Sequence, residues 1–199
     1  LSKKGRKVNV AVYERAKEKN VMNGDSYFYQ ESDDAFICAV ADGLGSGQFA
    51  KESSEVVIDT IKNNPNLPDR ELAHMCSAQL VGRRGVVLGV LRLDYRDKIF
   101  TYSSIGNIGL MTITPDYVKN RNIPHRGYLA GYSRDFRVME GTLTPGMNFI
   151  MFSDGITDVD LAQKHFLNQN VDELIERFST MNEEARSDDT TLIAMRYIE

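Results

Sequence analysis

The chain has 199 residues, with 24 Lys+Arg against 28 Asp+Glu and a formal charge of −4. That length suits one domain with a sizeable buried core, expected over residues 1–199, and the charge gives no reason to expect a nucleic-acid partner or an anionic membrane surface. No apolar run reaches bilayer length and the start lacks a signal-peptide core, so a cytoplasmic protein is expected, with its two cysteines, Cys38 and Cys76, read as buried thiols because neither has a ligand at zinc spacing.

In chain order, the basic residues Lys3, Lys4, Arg6 and Lys7 read as a solvated tail. Val8, Val10 and Val12 alternate with polar or small residues and predict a strand; residues 27–30 and 36–41 predict two more, separated by a turn at 31–34. After a glycine-rich stretch at 42–47, Ala50, Ser54, Val57, Ile58 and Ile61 share one helical face. Pro65 and Pro68 end that helix, and Asp69 is a candidate cap for a second helix over 70–81. Residues 86–93 and 99–104 read as a hairpin turning at 94–97, with 110–114 as its continuation. The polar, aperiodic stretch 116–126 predicts a long surface loop. Strands at 136–143 and 149–152 follow, joined by a Pro145-Gly146 turn, then a helix at 171–178 and a last strand at 191–197. Strands in hairpin-like groups with helices in pairs predict an α/β (α+β) fold of four layers, αββα, in which two mainly antiparallel sheets are flanked by helices.

Aspartates recur where predicted strands end or begin: Asp42-Gly43 after 36–41, Asp154-Gly155 after 149–152, and Asp188-Asp189 before the last strand. Strand ends can gather distant carboxylates at one sheet edge, and oxygen ligands without histidine or thiolate suit a hard cation, magnesium or manganese.

The ordered motifs Asn23-Gly24-Asp25-Ser26, Val40-Ala41-Asp42-Gly43-Leu44-Gly45-Ser46-Gly47, Phe152-Ser153-Asp154-Gly155 and Asp188-Asp189-Thr190-Thr191 resemble those of the metal-dependent PPM phosphatases, also called protein phosphatase 2C, in their bacterial SpoIIE-like branch. Arg84-Gly85 and Ser104-Ile105-Gly106-Asn107 extend the likeness over nearly the whole chain, and a free-standing domain of this size is most similar to the RsbX-type feedback phosphatases of the stressosome. The resemblance implies two Mn2+ or Mg2+ ions: Asp42 bridging both, the Gly43 carbonyl on the second, Asp154 and Asp188 on the first, and Asp25 orienting water from behind. It further implies attack by a metal-bridging hydroxide on phosphoserine or phosphothreonine, with a phosphorylated STAS-domain regulator of a sigma-factor stress pathway as substrate. Three positions depart from relatives: Leu44 stands where eukaryotic members carry histidine, Asn20 where they carry a phosphate-binding arginine, and Asn107 where many SpoIIE-like domains have histidine; Asn107 is left outside the site.

Competing chemistries find less support. A thiol phosphatase needs an arginine where Gly82 follows Cys76, and a haloacid-dehalogenase-type nucleophile would fall on Phe152. His74, His125 and His165 accompany no nucleophile motif and read as surface or capping residues. A catalytically silent phosphatase-like binding or scaffold module is the alternative from another class, and the retained Asp42, Asp154 and Asp188 weigh against it. The glycine-rich turn at 44–47 and the stretch 116–126 are expected to border the substrate groove.

Overall fold

The alternation of apolar residues decides which way each strand faces. In the computed structural model, which describes residues 3–4, 7–17, 22–132, 134–181 and 188–199, eleven strands form two wholly antiparallel sheets. One sheet has six strands in the order β1-β2-β11-β10-β7-β8: β1 (Lys3–Lys4), β2 (Val8–Arg15), β11 (Thr190–Tyr197), β10 (Asn148–Phe152), β7 (Gly109–Ile113) and β8 (Lys119–Arg121). The other has five, β3-β4-β5-β6-β9: β3 (Asp25–Glu31), β4 (Ala35–Gly43), β5 (Val86–Asp94), β6 (Ile99–Ile105) and β9 (Arg137–Thr142).

Every second residue points between the sheets. Phe36, Cys38 and Val40 of β4 meet Val8, Val10, Phe149, Met151, Ile193 and Met195 of the facing sheet in one buried cluster. The intervening residues point outward to helices, which is why these strands read as continuous apolar runs. Ile37, Ala39 and Ala41 pack against Val57, Ile58 and Ile61 of α1 (Gln48–Asn63) and Leu72 and Cys76 of α2 (Asp69–Gln79). On the other side, Ala11, Ile150, Leu192 and Ala194 pack against Val171, Leu174 and Phe178 of α4 (Val171–Ser179). The layers are therefore helix, sheet, sheet, helix, as the sequence predicts.

Four local expectations give way to tertiary partners. Residues 109–113 do not continue the β5–β6 hairpin, because β7 crosses to the six-stranded sheet and pairs with β10. Strands β9 and β10 likewise lie in different sheets despite the Pro145-Gly146 turn between them. The stretch 116–126 is not a plain loop: β8 pairs with β7 there, and the buried Asn122 accepts the Leu110 backbone N–H at 2.7 Å. Asp69 caps no helix. It is the first residue of α2, where its carboxylate takes the Arg92 Nε at 2.9 Å and the Ser103 hydroxyl, while Arg92 also donates to the Pro65 and Leu67 carbonyls, fastening the α1–α2 connection to the sheet. A short helix, α3 (Asp158–Ala162), and the 3-10 turn Lys164–Leu167 are present beyond the predicted elements. Of the basic tail, Lys3–Lys4 pairs as an edge strand with β2, and Arg6 lies outside the described residues.

Candidate metal centre

Topology brings the aspartates together from four strand ends. Strand β4 does not stop at Ala41; it stays paired through Asp42 and Gly43, and its antiparallel register with β3 sets Asp25 opposite Asp42. In the other sheet, β10 ends at Phe152 opposite Leu192, near the start of β11, so Asp154 and Asp188 flank the same corner. Ser153 and Thr191 lock it: the Ser153 N–H donates to the Thr191 carbonyl at 3.0 Å, and the Thr191 N–H to the Ser153 hydroxyl at 2.9 Å. Asp189 then ties the corner to the opposite sheet by accepting the Gly24 N–H at 2.8 Å, and to the end of β2 by accepting the Lys17 N–H at 2.7 Å.

The glycines after Asp42 and Asp154 serve close packing. A Cβ at Gly43 would lie 2.0 Å from the Ala50 carbonyl oxygen of α1, and one at Gly155 would lie 2.4 Å from the Asp189 carbonyl oxygen. Neither has positive φ, so neither Asp-Gly pair is there to make a left-handed turn.

Asp42, Gly43, Asp154 and Asp188 all line one open cavity of ≈ 530 Å³, with Asp189, Asn107, His125 and Arg126 on the same walls. Asp25 sits behind it, 1% exposed. The Asn107 amide donates to Asp154 at 3.0 Å. Lys17 pairs with Asp188 at 3.7 Å, with both side chains near half exposed, an arrangement of little energetic weight.

Burial chiefly pushes Asp42 up to about 8, reinforced by the charges of Asp25, Asp154, Asp188 and Asp189. Asp25 is pushed up to about 6, again mainly by burial, with the Ser153 and Thr191 hydroxyls pulling it partly back. Asp154 also rises, through burial and Asp188, against the Asn107 hydrogen bond. Among the described residues, no three acidic, histidine or cysteine side chains already form a cage that could hold an ion. The donor set nevertheless fits divalent cations: clustered carboxylates of one sign, raised pKa values, and a buried Asp25 Oδ2 without a hydrogen-bond partner.

As expected from the strand ends, Asp25, Asp42, Gly43, Asp154 and Asp188 fall at one end of the sandwich. Asn107, left outside the predicted site as a turn residue, and Asp189, which was missed, belong to the same surroundings; the signal for Asp189 was the doubled Asp188-Asp189. His125 is a surface residue, as expected, that also lines the cavity, whereas His165 packs against Phe166 and Phe178. Of the two predicted groove borders, Leu44 and Gly45 line the cavity, and from 116–126 only Pro124, His125 and Arg126 do. Leu44 packs against the inter-sheet core, and Asn20 lies outside the described residues. Both cysteines are free and buried. No helix among the described residues is long and apolar enough to cross a membrane.

The sequence matches the Stage II sporulation protein E (SpoIIE) family over residues 32–198. It is 31% identical over 186 residues to phosphoserine phosphatase RsbX of Bacillus subtilis (strain 168), covering 94% of this chain and 93% of that protein. The crystal structure of RsbX in complex with magnesium superposes with a TM-score of 0.88 at 29% identity, covering 99% of this chain and 98% of the other. A structure from work on the bacterial stressosome, a modular system that has been adapted to control secondary messenger signalling, matches with a TM-score of 0.85 at 25% identity, over 96% of this chain and 100% of that one. The catalytic domain of the serine/threonine phosphatase PstP with two manganese ions shares the fold alone, at 12% identity and a TM-score of 0.76 over 97% and 99% of the two chains. With a family match over most of its length, 31% identity to a phosphoserine phosphatase and a PP2C-like fold, the chain belongs to the SpoIIE family and is a phosphatase of that class.

Proposed function

We propose that the chain works as a single catalytic domain, a phosphoprotein phosphatase dependent on two magnesium or manganese ions, which removes phosphate from phosphoserine or phosphothreonine of a STAS-domain regulator in a bacterial stress pathway. The observation that carries the chemistry is the corner where Asp42, held up at about 8 by burial and four neighbouring carboxyls, faces Asp154 and Asp188 across one cavity. A silent scaffold has no use for that arrangement, since burying like charges together is costly unless cations offset them. The likeness to RsbX, a phosphoserine phosphatase, supports the substrate class and the pathway.

Asp42, the Gly43 carbonyl, Asp154 and Asp188 would hold the ions. Bound there, divalent cations lower the pKa of water and neutralise phosphoryl oxygens. The chain supplies the rest. Asn107 fixes the Asp154 carboxylate, Asp189 fixes the backbone of Gly24 and Lys17 and so the position of Asp25, and Asp25 would orient the attacking water with its unpartnered oxygen. Neither thiol takes part, because burial raises both Cys38 and Cys76, the latter to about 12.

The test is to incubate the protein with phosphorylated STAS-domain proteins, with manganese or with excess chelator, and follow the loss of phosphate by intact mass. Loss that needs the cation and is unaffected by thiol alkylation is expected; loss that survives thorough chelation would exclude the mechanism.

A further inference from the structure

A second concavity of ≈ 470 Å³ lies between the start of α1 and the turn from α2 into β5, lined by Phe49, Glu52, Ser53, Val81, Gly82, Arg83 and Arg84. Phe49 is 68% exposed and Val81 70%, so two large apolar side chains share one small groove in water. Apolar side chains left exposed beside each other within a polar rim mark contact surfaces. Arg83 and Arg84 are also exposed, and among the described residues neither makes an ion pair. The one acid in the lining, Glu52, already accepts a hydrogen bond from Gln48 at 2.8 Å. The turn is held in shape by the Arg84 N–H, which donates to the Ser53 hydroxyl at 3.1 Å, and by Gly82 at φ 74°.

This groove adjoins the metal centre. The Leu44 N–H donates to the Gly85 carbonyl at 2.8 Å, and the Arg84 guanidinium lies 3.9 Å from where a Cβ would stand on Gly45; Leu44 and Gly45 both line the carboxylate cavity. A chain whose phosphorylated residue enters the cavity therefore meets the groove a few residues along. The local charge is positive on a molecule whose formal charge is −4, and two guanidiniums call for an acidic visitor.

We propose that this groove docks the segment flanking the phosphorylated residue of the protein substrate, seating an apolar side chain between Phe49 and Val81 and acidic side chains against Arg83 and Arg84. The proposal rests on the phosphatase reading of the neighbouring cavity and adds the kind of sequence that cavity is served.

The experiment compares synthetic phosphoserine peptides of equal length whose flanks carry leucine with acidic residues or leucine with lysines, at low salt with manganese, against p-nitrophenyl phosphate. The acidic peptide should show kcat/KM about tenfold above the basic one, through KM, with the gap narrowing as salt is added. Arg83→Glu/Arg84→Glu should reverse the preference, and turnover of the basic peptide by that variant shows that it is folded. Phe49→Ser should cost the leucine-bearing acidic peptide several-fold in KM. No turnover of p-nitrophenyl phosphate overturns the phosphatase reading and this proposal with it. Turnover of the ester with equal rates on both peptides, or an unreversed preference in the charge-swapped variant, overturns the docking groove alone.

Discussion

The middle and the end of the sandwich are built from the same strands and obey opposite rules. At the middle, Val40, Leu91, Met151 and Met195 are fully or almost fully buried in one apolar cluster between the sheets. Two residues beyond Val40, on the same face of β4, the chain places Asp42, opposite Asp25, with Asp154 and Asp188 arriving from the other sheet. The middle is stabilised by apolar area removed from water; the end holds like charges that stability alone would not keep together. What the contrast teaches is that the sandwich is a frame whose apolar burial offsets an unfavourable corner of clustered carboxyls.

The sharpest way to break this contrast is to substitute at the corner. Asp42→Asn should lower cation-dependent turnover on the order of 10³-fold or more while raising the melting temperature of the cation-free protein, since the amide removes one of the mutually repelling carboxyls. Turnover near normal in a folded variant would overturn the bridging role proposed for Asp42. Phe149→Ala, at the middle, should do the reverse: lose about 3–5 kcal/mol in urea unfolding while the surviving folded protein keeps its cation dependence. A loss of cation response without loss of stability would mean that the two regions are not separable in this way.

A smaller effect is readable in pH. Asp42 at about 8 and Asp25 at about 6 are both raised above the ordinary carboxyl value of 3.8. A raised folded-state pKa contributes stability that is fully present below the unfolded value and is lost as pH rises through the folded one. The cation-free protein should therefore lose stability contributed by these groups between about pH 4 and pH 8, and Asp42→Asn should show a shallower decline over that range in thermal melts. Equal slopes in the two proteins would place the strain elsewhere.

Much of this was legible in the sequence, for reasons that differ by element. Strands β4, β5 and β11 show plainly because their central residues are buried on both faces and so form apolar runs, and Asp42, Asp154 and Asp188 show because they stand at or just beyond the ends of such runs. Sheet membership is not written locally: β7 follows β6 closely yet pairs with β10, since period-two alternation says which residues are buried and not beside which strand. Strand β8 hides because Lys119–Arg121 is a polar edge. Helix α3 is short, but Thr157 and Asp160 form a capping box that a search for start signals could have found. Asn107 stands out in the sequence only through the family motif that ends with it; its contact with Asp154, 47 positions away, is visible only in the fold.

The measurement that tests the central claim most directly is calorimetric titration of manganese into the cation-free protein near pH 7, repeated in two buffers of different ionisation enthalpy. Because burial and its neighbours raise the Asp42 carboxyl to about 8, cation binding should be accompanied by proton release, and Asp42→Asn should release fewer protons and lose most of the affinity. Tight binding with no proton release, or binding unchanged in Asp42→Asn, would contradict the assignment of this corner as the metal centre.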